Sequence, residues 1–137
     1  MRPKFIATLS FRGFEISPHD IQLLVGLVPA SMLVSRGDSS KPGRTPFRRS
    51  VASWSIEFED SARLGEMIPA LIEYIGGEDH LLTIRDKIAP EFFEIDVSMW
   101  IKNSAEQEGG SIGAETIAML ARLGASLSFG FYDREIA

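Results

Sequence analysis

At 137 residues and 45% hydrophobic composition, the chain suits one globular domain, 1–137, that buries roughly two thirds of the surface its unfolded form exposes. It has no cysteine, which excludes disulfides, thiolate nucleophiles and zinc–thiolate sites. Its net charge of −5 opposes generic binding to nucleic acid or anionic membranes, and no apolar run approaches the roughly 20 residues of a membrane span.

The opening MRPKFIATLSF is basic, but its apolar run is broken by Thr8, Ser10 and Arg12. It is a poor signal peptide and a good first strand, with Phe5, Ala7, Leu9 and Phe11 on one face. A cytoplasmic location is therefore expected. Ser17-Pro18-His19-Asp20 reads as a helix start, with Ser17 as cap, Pro18 where no backbone donor is needed and Asp20 at the positive end of the dipole. Ile21, Leu24, Val25 and Val28 form its apolar stripe, and Gly26 and Pro29 limit its length.

Ser31–Ser35 fits a short strand. Gly37–Pro46 holds two Gly, two Pro and two Ser and reads as a loop. Ser53–Glu59 alternates, placing Trp54, Ile56 and Phe58 inward and Ser53, Ser55, Glu57 and Glu59 outward. Asp60 is placed to cap a helix whose stripe is Leu64, Met67, Ile68, Leu71, Ile72 and Ile75. Gly76-Gly77 ends that helix, and Pro69 is expected to kink it.

Asp79–Ile88 reads as a short helix ended by Pro90. Glu91–Ile101 is the most informative stretch: Phe93, Ile95, Val97, Met99 and Ile101 fall on one side, and Phe92, Glu94, Asp96, Ser98 and Trp100 on the other. Lys102–Gly113 is a polar, Gly-rich connection. Ala114–Leu123 is a helix burying Ile117, Leu120 and Leu123. The last strand, Ala125–Tyr132, turns Leu127, Phe129 and Phe131 inward and Ser126, Ser128 and Tyr132 outward.

Strands with one oily and one polar face belong to a sheet covered on one side only. With the intervening helices they predict an α+β fold, a two-layer sandwich whose sheet is mainly antiparallel, with helices on one face, ferredoxin-like or related. Strand order is not readable from the pattern.

Several features recur together in a recognisable arrangement. They are a short opening strand, a capped helix ending in Gly26–Pro29, a turn at Arg36–Asp38, and Arg48-Arg49 leading into Ser53-Trp54-Ser55-Ile56. The run Leu123–Phe129 and the terminal Phe131-Tyr132 complete it. This pattern resembles the bacterial family catalogued as domain of unknown function 4279, over nearly the whole chain. The resemblance implies a small bacterial α+β domain and carries no catalytic residue with it.

Charge is segregated. Arg36, Lys41, Arg44, Arg48 and Arg49 form a basic segment opposed only by Asp38, while Glu91–Glu115 holds six acids and one Lys. The segregation can serve a charged partner or head-to-tail association; its plain alternative is solvated surface. Glu94 and Asp96 project from one strand face about 7 Å apart, and Glu57 joins them if its strand is adjacent. Such carboxylates can hold a divalent cation or divide acid and base roles; the plain alternative is an exposed acidic face. No third ligand at fixed spacing supports a metal. His19 and His80 lie in no metal-binding motif, Gly109–Gly113 lacks a phosphate-loop ending, and no Gly-x-Ser-x-Gly or Ser-x-x-Lys motif occurs.

Phe92, Trp100 and Tyr132 are expected on the sheet face away from the helices, as a binding or oligomer surface unless a loop covers them. The first expectation is thus a non-enzymatic binding or interaction domain, of immunity or accessory type, acting through the aromatic and acidic sheet face or by self-association. The alternative is a small enzyme or a ligand- or metal-binding protein using Glu94 and Asp96. Third is a nucleic-acid binder through Arg36–Arg49. No cofactor and no membrane partner are expected; a protein partner or second copy is favoured, a small molecule stays open, and nucleic acid is disfavoured.

Overall fold

The computed structural model describes residues 5–26, 28–39, 42–101 and 110–133. The elements are β1 (Phe5–Arg12), α1 (Pro18–Val25), β2 (Met32–Val34), β3 (Val51–Phe58), α2 (Leu64–Ile75), α3 (Glu78–Ile88), β4 (Phe92–Ile101), α4 (Ala114–Leu123) and β5 (Ser126–Asp133). The strands form one mixed sheet in the order β2-β3-β1-β4-β5. The first three pairings are antiparallel and β4-β5 is parallel. The first four strands have ferredoxin-like order, with β1 between β3 and β4. The parallel pair follows from its connection: α4 carries the chain back so that β5 runs alongside β4.

The core lies on one face of the sheet. Phe5, Ala7, Leu9 and Phe11 of β1, Trp54 of β3, and Ile95 and Val97 of β4 are buried together with Met67, Ile68, Leu71 and Ile75 of α2 and Leu81 and Ile84 of α3. Every apolar position expected of α2 is buried, and the helix runs on through Pro69. Phe11 anchors the aromatic centre, edge-on to Trp54 at 6.2 Å and tilted on Phe93 at 4.7 Å.

Local signals act as read at most helix ends. The Ser17 hydroxyl accepts from the Asp20 amide at 3.1 Å. Arg85 of α3 donates to the carbonyls of Arg122 and Leu123 at 3.0 and 2.7 Å, capping α4 from outside.

Six positions depart from the periodic reading. Val28 lies beyond α1, although it packs on the core. The cap of α2 is Arg63 rather than Asp60, because the helix starts only at Leu64. Ser53 is buried on the polar face, flanked by Ser10 of β1 and Met32 of β2. Ile117 is 57% exposed, since only the second half of α4, through Leu120 and Leu123, reaches the core. Phe129 and Phe131 share the helix-side face but are exposed, because β5 is the rim of the sheet. Among the described residues, no helix is long and apolar enough to cross a membrane.

Candidate functional site

Register assembles the polar face of the sheet from side chains distant in sequence. Thr8 of β1 stands between Ser55 of β3 and Asp96 of β4, and Asp96 faces Ser128 of β5. The Thr8 and Ser55 hydroxyls are 2.8 Å apart, and Ser31 accepts from the Ser55 amide at 3.0 Å. Asp96 accepts from the hydroxyls of Ser128 at 2.6 Å and Ser98 at 3.2 Å. The next row holds Ser53, Ser10, Glu94 and Ser126. Glu94 forms an ion pair with Arg12, its diagonal neighbour on β1.

The carboxylates expected to cluster do not. Strand β1 separates Glu57 from β4, and Glu57 lies in the row of Ser98, one row beyond Asp96. Two interstrand spacings put it roughly 10 Å away even before that offset. Among the described residues no group of three or more His, Asp or Glu has the arrangement of a metal site. Glu94 and Asp96 do share a face, but each is already engaged, so they form a polar ladder across the sheet.

The aromatic residues divide into two patches. Phe92 and Trp100 are eight positions apart on β4, a span of roughly 27 Å. At one end two cations lie over the Phe92 ring, with the guanidinium of Arg49 4.9 Å and that of Arg12 5.7 Å from its centre. Arg49 also pairs with Glu91 at 3.2 Å. The Nε of Arg12 is buried without a hydrogen-bond partner. At the other end Trp100 packs against Tyr132, ring centres 5.2 Å apart, and partly against the core.

Sequence reasoning missed the second half of that aromatic end. Phe129 and Phe131 stack with centres 6.3 Å apart, on the opposite face of β5 from Tyr132. Phe129, Phe131 and Tyr132 are 45%, 58% and 48% exposed. Alternation alone marks the two phenylalanines as core. No signal in the sequence marks them as exposed, because alternation gives the face a side chain takes and not the place of its strand in the sheet.

The basic segment is divided as well. Arg36, Arg48 and Arg49 line a cleft of about 260 Å³ with the β1–α1 turn, Gly13 to Pro18. Arg44 is exposed in the loop, and Lys41 lies outside the described residues. Backbone bonds from the Gly37 amide to the Phe47 carbonyl (2.9 Å) and from the Phe47 amide to the Asp38 carbonyl (2.8 Å) close the base of this loop. The histidines take no part in either surface. His19 is exposed, and the Nε2 of His80 is 3.1 Å from the carbonyl of Val25 at the end of α1.

A family model described as Domain of unknown function (DUF4279) matches residues 3–134. No curated protein and no solved structure matches the chain.

Proposed function

The chain belongs to the family described as Domain of unknown function (DUF4279), a description that assigns no activity, and we propose from its own surface that it is a non-enzymatic interaction domain working through the β5 end of its sheet, with a second copy of itself as partner. The observation that carries this reading is an edge strand with three large aromatics 45–58% exposed. An unpaired edge offers a row of backbone donors and acceptors, and natural edges are usually blunted with lysine, proline or bulges. Ser126–Tyr132 contains no Lys, Arg or Pro.

The strand is also self-complementary. Antiparallel pairing of two copies about Gly130 sets Phe129 of each opposite Phe131 of the other, on the same face, as a two-fold interface requires. Full burial of a phenylalanine is worth about 1.5–3 kcal/mol, and roughly half of that remains to be gained at each ring. The engaged state of Glu94 and Asp96 favours this interaction reading over a catalytic or metal-binding one. The cysteine-free composition is in keeping with the bacterial cytoplasm, where an accessory or immunity-type protein would act by such contacts.

Sedimentation tests it. The wild type should be a dimer at micromolar concentration, and Phe131→Lys, at an exposed position, should give a folded monomer. A monomeric wild type, or a dimer indifferent to Phe131→Lys, would overturn the proposal.

A further inference from the structure

The cleft at the opposite end of the molecule has the construction of an anion site. Its floor is stitched together by Ser50, which is buried. The Ser50 hydroxyl accepts from the Phe14 amide at 2.9 Å and donates to the Phe14 carbonyl at 2.8 Å. Backbone bonds from the Gly13 amide to the Ser50 carbonyl and from the Glu91 amide to the Gly13 carbonyl, each 3.0 Å, tie the β1–α1 turn to the starts of β3 and β4. Gly13 has φ +74°, and a Cβ there would stand 2.8 Å from the Glu91 side chain, so the turn needs glycine. The floor is therefore fixed and its polar groups are consumed by one another.

The chemistry facing the cleft belongs to the arginines. Arg49 is held in place by Glu91 and by the face of Phe92. Among the described residues, Arg36 and Arg48 form no ion pair with a carboxylate. The acids in the lining are Glu91, which Arg49 answers, and Glu15. Three guanidiniums against two carboxylates leave a positive cleft in a protein of net charge −5. Two unpaired guanidinium forks match the several oxygens and double charge of a phosphate group better than a single carboxylate. A volume of about 260 Å³ is near the lower bound for small-ligand pockets.

We propose that this cleft binds a small phosphate monoester through Arg36 and Arg48, with Arg49 as a preset third cation. The site is independent of the β5 edge, so either can fail alone. The test is calorimetric titration of the full chain with inorganic phosphate, a sugar phosphate and a nucleoside monophosphate, at constant ionic strength kept with chloride. The monoesters should bind with Kd at or below about 1 mM. Arg36→Gln and Arg48→Gln should each weaken binding by about tenfold or more, the loss of one charge-assisted contact, with an unchanged melting temperature in the absence of ligand. Binding of inorganic phosphate with the same arginine dependence would support the phosphate group as the recognised element. No heat from any phosphate at about 10 mM would overturn the proposal. So would binding undiminished in the double variant, or binding of a single-stranded oligonucleotide where the monoesters do not bind.

Discussion

The Tyr132 ring lies back over Gly130: a Cβ at position 130 would stand 2.8 Å from the phenolic oxygen and 2.9 Å from Cε2. The ring thus covers a strand position that has no side chain of its own, and it also packs against Trp100. Gly130→Val should keep the fold, because the obstructing atoms are the far end of a side chain. It should drive Tyr132 off the strand and loosen the Trp100–Tyr132 pair. Near-ultraviolet circular dichroism and tryptophan emission would report the change. Spectra identical to the wild type would mean that the ring does not rest there in solution.

Glu78 and Arg122 join α3 to α4 through two hydrogen bonds, 2.9 and 2.7 Å. Hydrogen bonding from the Arg122 guanidinium holds the Glu78 carboxyl below its ordinary value of 4.5, with desolvation opposing and the charge of Arg122 assisting. A depressed folded value means the pair stabilises above the unfolded value and that this contribution is lost as pH falls through the folded one. Melting temperature followed against pH should show it: Glu78→Gln should melt lower than wild type at pH 7, and the gap should close below about pH 4.5. The pair lies at the surface, with Arg122 exposed and Glu78 half-buried, so the gap should also shrink with salt. A gap that persists at pH 3 would assign the effect to packing instead.

Ser50→Ala removes a hydroxyl that serves both the amide and the carbonyl of buried Phe14. Two buried backbone groups then lose a partner, for a cost of about 1–3 kcal/mol. Urea denaturation should show a lower midpoint with an unchanged slope. Retention of full stability would mean that water enters the cleft and takes over both bonds.

Calcium, magnesium and manganese at millimolar concentration should leave the melting temperature unchanged, because Glu94 is paired with Arg12 and Asp96 is occupied by Ser98 and Ser128. A rise that disappears in the double variant Glu94→Gln, Asp96→Asn would revive the metal-binding alternative for this face.

The sequence by itself determined the elements and most of the core. Alternation in β1 and β4 and the stripe of α2 are local patterns, set by the two-residue and 3.6-residue periods of the backbone, so no partner is needed to read them. The cap at Ser17 is equally local. What lay beyond reach was which strand neighbours which. Arg12 meets Glu94 across 82 positions, and Glu57 misses Asp96, only because β1 inserts between β3 and β4. The exposure of Phe129, Phe131 and Ile117 was decided in the same way. Periodicity names the face a side chain takes but not whether anything lies over it, and that cover depends on how far the helices extend across a sheet whose order is fixed by long-range pairing.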